Sequence, residues 1–204
     1  MSHLIAALLT TAYLTSQTQA APLGITVPAT PPANAEGYQM GESRRPDGAT
    51  LTLDSHSLRL NGRPWSPVMG EFHYTRMPAT EWREELLKMK AGGVDIVSTY
   101  VFWIHQEEIE GQFDWTGRRD LRRYVQLCDE VGLKVIVRCG PWCHGEVRNG
   151  GMPDWLLQKG WKLRSDDPPY LDKVKILYGE IAKQLAGLLW EDGGPVIVLQ
   201  FENE

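Results

Sequence analysis

Gly193-Gly194-Pro195-Val196-Ile197-Val198-Leu199-Gln200-Phe201-Glu202-Asn203-Glu204 is the stretch whose reading decides the fold. The Gly-Gly-Pro turn opens into an apolar, β-branched run, the pattern of a parallel strand buried on both faces. With a period of two, Val196, Val198, Gln200, Glu202 and Glu204 share one face, and Ile197, Leu199 and Phe201 share the other. The second face suits packing under helices. The first ends in an amide and two carboxylates, and ionised groups there are costly unless paired, protonated or placed for chemistry. The plain alternative is a solvated strand end, because most exposed carboxylates do nothing. The buried run ahead of Glu202 weighs against it.

Upstream of this strand a unit repeats from Pro67 onward: a short hydrophobic strand, a loop, an amphipathic helix and a tight turn at glycine. Strands are expected at about 68–73, 95–103 and 134–139, and helices at about 80–91, 117–131 and 171–189. Trp82, Leu86 and Met89 form the inward stripe of the first helix, and Leu121, Val125 and Cys128 that of the second. Leu171, Val174, Ile181, Leu185 and Leu188 mark the third. Strands alternating with helices imply an α/β fold with a parallel sheet and right-handed crossovers. Four such units amount to the N-terminal half of a (β/α)8 TIM barrel, truncated after strand four. The loops that follow strands are long and carry the unusual residues, which marks the C-terminal end of the sheet as the active face. A doubly wound fold shares the alternation, but no Gly-rich phosphate loop follows strand one, and no cofactor is expected.

The flanking sequence divides simply. Residues 1–20 read as a secretory signal, although no Lys or Arg stands at its start, so export to a periplasmic or extracellular compartment is expected. The apolar run Leu4 to Leu14 is too short to span a bilayer. Residues 21–48 are rich in Pro, Ala, Gly and Ser and read as a flexible linker, residues 49–66 as a short β element with Asn61-Gly62 as its turn, and residues 67–204 as the half-barrel. A net charge of −5 over 204 residues argues against a nucleic-acid partner. Eight Trp residues are many for this length, and because sugars stack on indoles they favour a carbohydrate site. Cys128 reads as a buried hydrophobe, and Cys139 and Cys143 are close enough in sequence to bridge in an oxidising compartment.

The strand ends carry the polar motifs: Gly70-Glu71-Phe72-His73-Tyr74-Thr75-Arg76, Thr99-Tyr100-Val101-Phe102-Trp103, and Gly140-Pro141-Trp142-Cys143-His144-Gly145-Glu146, followed by Gly150-Gly151-Met152-Pro153-Asp154-Trp155-Leu156. Together with the Gly-Gly-Pro to Glu-Asn-Glu stretch, this set resembles glycoside hydrolase family 35, the β-galactosidases. The resemblance implies that Glu204 is the general acid/base and that Asn203 contacts the sugar beside the reacting carbon, which requires the strand to bend at its end. It implies Tyr100 and Glu146 as ligands of galactose hydroxyls, Gly145 as a backbone contact, and Trp103, Trp142 and Glu202 as parts of the pocket. The sequence departs from the family pattern at Phe102 (usually Pro), Ile104 (Asn), Trp142 (Tyr), His144 (often Cys) and Val147 (Trp), which affects the pocket rim.

The activity expected on this basis is removal of terminal β-linked galactose by a retaining route, which needs a proton donor and a carboxylate nucleophile. In the family the nucleophile is a Glu at the end of a seventh barrel strand, beyond residue 204, so the 204 residues alone are expected to be inactive and poorly stable. Two other readings remain open. One is a metal-dependent barrel hydrolase using His73, His105 and His144 with Glu204, although no His-x-His or His-x-x-x-His spacing supports it and no metal is expected. The other is a glycan-binding module in which Tyr100, Glu146, Trp103 and Trp142 hold a sugar without turnover.

Overall fold

The computed structural model describes residues 24–34 and 41–203. The expected secretory signal and Glu204, expected as the proton donor, therefore lie outside the described residues. The chain forms two units, Met1–Pro32 and Ala33–Glu204. In the first, residues 24–32 are exposed and carry neither helix nor strand. The second unit holds two sheets. Among the described residues no helix is long and apolar enough to cross a membrane.

The smaller sheet is antiparallel, in the order β1 (Leu51–Leu53), β2 (Leu58–Leu60), β3 (Arg63–Trp65). Asn61 and Gly62 both have positive φ, +52° and +74°, the geometry a two-residue hairpin needs to match the twist of its strands. The segment just before this sheet is not a free lead-in. The Ser43 carbonyl accepts from Leu51 N (2.8 Å) and from the Trp190 indole (3.0 Å), and the Arg45 guanidinium donates to the Gly193 carbonyl and covers the Trp190 ring. Tying down the backbone from about residue 43 removes the freedom its composition suggests.

The larger sheet is parallel, in sequential order β4 (Met69–Glu71), β5 (Ile96–Tyr100), β6 (Lys134–Arg138), β7 (Val196–Gln200). Between strands run α1 (Trp82–Ala91), the short α2 (Trp103–Gln106), α3 (Leu121–Glu130), the short α4 (Asp154–Leu157) and α5 (Pro168–Leu185). Local chemistry sets their ends. Asp120 caps α3 by accepting from Arg123 N at 2.8 Å, and Pro168 at the first turn of α5 supplies a preset φ where no N–H is needed. One face of the sheet, Val97, Val135, Val137 and Val196, packs with Trp82 and Leu86 of α1, Tyr124 and Val125 of α3, and Leu177 and Ile181 of α5. Each such side chain, fully buried, contributes roughly 1.5–3 kcal/mol.

Two expectations are amended. The helix α5 begins three residues earlier than its periodicity suggested; Val174, Ile181 and Leu185 of the expected stripe are buried, joined by Tyr170 and Leu177, whereas Leu171 is 45% exposed. In β7 the register slips: Val135 pairs with Val196, but Ile136 pairs with Val198, leaving Ile197 as an extra residue. Val196 is thereby turned into the helix-side core, while Val198 and Gln200 keep the opposite face.

The glycines ahead of β7 have distinct tasks. Gly193 has φ +92°, and a Cβ on Gly194 would sit 2.0 Å from the Leu188 carbonyl oxygen. The backbone itself occupies that space. Gly194→Ala should therefore lower stability by about 2–3 kcal/mol. Exposed Gly179 within α5 has no atom within 4 Å of such a Cβ; Gly179→Ala should stabilise by about 1 kcal/mol. Denaturant midpoints of the two variants, expected to move in opposite directions, check this.

Candidate active site

The face of the sheet turned away from the helices is apolar only in part. Register places Glu71 beside Ser98, Tyr100 beside Arg138, and Arg138 beside Gln200, all toward the C-terminal ends of their strands. Arg138 joins them. Its Nε donates to Gln200 Oε1 (2.8 Å), Nη1 to Glu71 Oε1 (2.6 Å) and Nη2 to Asn203 Oδ1 (2.8 Å), while its guanidinium lies 3.7 Å from the centre of the Tyr100 ring. One planar cation thus reaches β4, β5, β7 and the segment after β7. A guanidinium does this because its donors diverge in a plane while its face remains free to stack.

Asn203 is buried, and the donors around it fix which way its amide points. Tyr100 Oη donates to Oδ1 at 2.6 Å, and Arg138 and Gln200 Nε2 (3.3 Å) add to the same atom. Arginine has no acceptor, so the amide oxygen must face it. Both N–H groups of Asn203 Nδ2 are left without a partner among the described residues.

The bend that the Asn203 assignment requires is present. Regular strand ends at Gln200, and Glu202 adopts φ +57°, a left-handed conformation that costs an L-residue about 1–2 kcal/mol. Its surroundings hold it there. Glu202 N donates to the Gly140 carbonyl (2.7 Å), and its carboxylate receives a forked pair from Arg164 Nε (3.1 Å) and Nη2 (3.0 Å). Arg164 Nη2 also donates to the Asn203 carbonyl (3.0 Å), and the guanidinium covers the Trp142 ring at 4.9 Å. Glu202 therefore faces a cation. A cleft of about 630 Å³ lies on the α5 side of this pair, lined also by Pro141, Tyr170, Leu171, Val174 and Tyr178. Neither Asn203, Tyr100 nor Glu146 lines it.

The other expected residues fall into two groups. Glu146 is exposed at φ +51°, beside buried Gly145, and both carbonyls accept from Arg76 Nη2. Trp142 is half-buried under Arg164. Trp103, expected as a pocket wall, is instead fully buried: its indole donates to Glu107 Oε2 (2.6 Å) and its ring packs edge-on against Trp155. The strand ends at Tyr100, and the turn into α2 carries Trp103 away from the strand-end group. Tyr100, expected to touch sugar, is fully buried with its hydroxyl donated to Asn203. In this arrangement it orients the amide. Burial raises its pKa, which keeps the hydroxyl protonated as a donor.

The histidines do not converge. His105 Nδ1 lies 2.8 Å from Thr75 Oγ1, His73 packs against Tyr100 and Phe102, and His144 is exposed. Among the described residues no three His, Cys, Asp or Glu side chains are grouped as metal ligands. Cys128, Cys139 and Cys143 are free and buried, and burial pushes the Cys128 and Cys139 thiols up to about 12, which leaves them protonated and unreactive. Burial lowers the pKa of His73, opposed by Glu71 and reinforced by Arg76 and Arg138; burial also lowers that of His105, helped by Arg118, Arg119 and Arg76.

Arg138, Arg164 and Arg76 were given no role from the sequence, and Gln200 was noted only as the amide on the polar strand face. Arg138 was the most accessible of them: it shares the non-helix face of β6 with Ile136, two residues before it, where a charged side chain needs partners.

The model of the family "Glycosyl hydrolases family 35" matches residues 57–204. The chain is 41% identical over 158 residues to a beta-galactosidase of Canis lupus familiaris, covering 76% of this chain and 24% of that protein. It is 41% identical over 149 residues to a beta-galactosidase of Homo sapiens, covering 72% and 22%. The chain thus spans about a quarter of the length of these curated relatives. A solved beta-galactosidase from the psychrophilic Marinomonas ef1 superposes with a TM-score of 0.52 at 17% identity, over 68% of this chain and 22% of that one, a likeness of fold alone.

Two outcomes follow from the geometry. Arg138→Lys keeps the charge but cannot reach three acceptors, and should lower stability by about 2 kcal/mol in denaturant unfolding. The depressed imidazoles of His73 and His105 bind protons more readily in the unfolded chain. Their contribution is complete above about pH 6.5 and is lost as pH falls toward their folded pKa values. Unfolding midpoints measured from about pH 7.5 down to about pH 5.5 should fall, and less steeply in His73→Gln.

Proposed function

The chain belongs to glycosyl hydrolases family 35, and on that premise we propose that its strand-end group is part of a retaining β-galactosidase, acting on terminal non-reducing β-D-galactose of oligo- or polysaccharides. The four parallel strands are then half of a (β/α)8 barrel. The observation that carries the reading is the Asn203 amide: its oxygen is pinned by Tyr100 and Arg138, its N–H donors are unspent, and it immediately precedes Glu204.

Glu204 gives its proton to the leaving oxygen as a carboxylate elsewhere in the barrel attacks the anomeric carbon; it then takes a proton from the water that releases galactose. Asn203 holds the hydroxyl next to that carbon, and exposed Glu146 accepts from hydroxyls farther round the ring. These hydrogen bonds tighten as the ring flattens toward an oxocarbenium ion. Glu204 needs a raised pKa to arrive protonated. Glu202 is a poor source of that rise, because Arg164 answers its charge. The nucleophile's own negative charge would supply it instead. Residues 1–20 would direct the protein out of the cytoplasm.

The test is hydrolysis of galactosides by the full-length protein and its Glu204→Gln variant. Loss of about a thousandfold in kcat is expected for a galactoside with a poor leaving group, and a smaller loss for one whose leaving group needs no proton. A variant that cleaves both as well as the parent contradicts the assignment, and galactose binding without turnover by the parent would identify a glycan-binding module.

A further inference from the structure

Phe102 stands at the centre of a small apolar group separate from the main core. It is fully buried with Tyr100 and Cys143, and Ile104 and Val147 pack on the same group. His73 and His105 meet its ring edge-on at 5.1 and 5.2 Å, and the Arg76 guanidinium lies 5.0 Å from its centre. Three of these positions, 102, 104 and 147, are places where the chain departs from the pattern its motifs resemble. In space they are neighbours.

The contact with Gly145 gives Phe102 a task. A Cβ built on Gly145 would lie 2.8 Å from Phe102 Cε1, 2.9 Å from Cζ and 3.2 Å from Tyr100 Cδ2. Gly145 does not have positive φ, so its backbone conformation is open to any residue. What excludes a side chain there is the ring. The segment 145–146 therefore lies directly on Phe102. The same Arg76 that stacks on the ring donates to the carbonyls of Gly145 and Glu146, and Glu146 follows in a left-handed turn with its carboxylate exposed.

We propose that Phe102 is a positioning residue: its ring is the surface on which Gly145 and Glu146 are laid, and through them it sets where the Glu146 carboxylate meets the sugar. The proposal rests on the galactosidase reading for what Glu146 binds, but the packing relation between Phe102 and Gly145 does not depend on it. A side chain at 145 lifts the segment from the ring and displaces Glu146. Shortening the ring makes room for that side chain, because Leu lacks the Cε1 and Cζ atoms that obstruct it.

The experiment is a double-mutant cycle in the full-length protein with Gly145→Ala, Phe102→Leu and the pair, read by thermal unfolding and by kcat and KM on a galactoside. Gly145→Ala alone is expected to lower kcat/KM by about a hundredfold, mainly through KM, because a displaced ligand of this kind can cost that much. Phe102→Leu alone should raise KM by about tenfold, because the segment loses the ring it rests on, and the pair should be impaired by no more than about that, recovering about tenfold of the loss in Gly145→Ala. The unfolding midpoint should show the same pattern, with the pair more stable than Gly145→Ala. If Gly145→Ala leaves KM unchanged, or the pair is as impaired as Gly145→Ala by both measures, the proposal is wrong. A parent protein that neither binds nor cleaves galactosides would sink the galactosidase reading, and with it the sugar-binding role of Glu146, while the unfolding midpoints would still decide whether Phe102 and Gly145 are coupled.

Discussion

The guanidinium of Arg138 is the constraint on which the strand-end geometry depends. A cation on a sheet face must find acceptors or stay wet. Arg138 finds three, on Glu71, Gln200 and Asn203, and lays its face on Tyr100. Each bond joins residues more than sixty positions apart in sequence or on different strands. The four strand ends are thereby fixed relative to one another by one side chain rather than by the ladder alone, whose strands are only three to five residues long.

Asn203 is where that constraint becomes useful. An amide can rotate by half a turn and exchange donor for acceptor, which would make it an indifferent ligand. Surrounding its oxygen with donors removes the choice and commits its nitrogen to donating outward. The left-handed turn at Glu202, held by Gly140 and Arg164, brings Asn203 round to meet those donors. Backbone strain at Glu202 and Glu146, two residues beside the proposed reaction centre, is stabilised by contacts from Arg164 and Arg76.

Much of the fold was legible because hydrophobic periodicity reports directly on burial. The stripes Trp82-Leu86 and Leu121-Val125-Cys128, and the parallel strand order, follow from it. The glycine stops after helices were legible for the same kind of local reason. What was not legible needed a register or a partner. A single extra residue, Ile197, turned Val196 to the other face, and no period-two count can show a bulge. Trp103 was expected as a pocket wall from the resemblance alone, and the strand was expected to run through it, whereas the chain leaves the strand at Tyr100. The motif residues Asn203 and Glu146 could be read from local sequence. The arginines that position them could not, since Arg164 and Arg76 lie 39 and 70 residues from the groups they hold.

The central claim is that Asn203 is oriented by Tyr100 and Arg138 to receive a galactose hydroxyl beside Glu204. A crystal structure of the full-length protein with bound galactose tests it most directly. The account predicts Asn203 Nδ2 about 3 Å from the hydroxyl next to the anomeric carbon, with the Arg138 and Tyr100 bonds to Oδ1 intact. Galactose bound away from the strand ends, or an Asn203 amide turned with its oxygen toward the sugar, would contradict it.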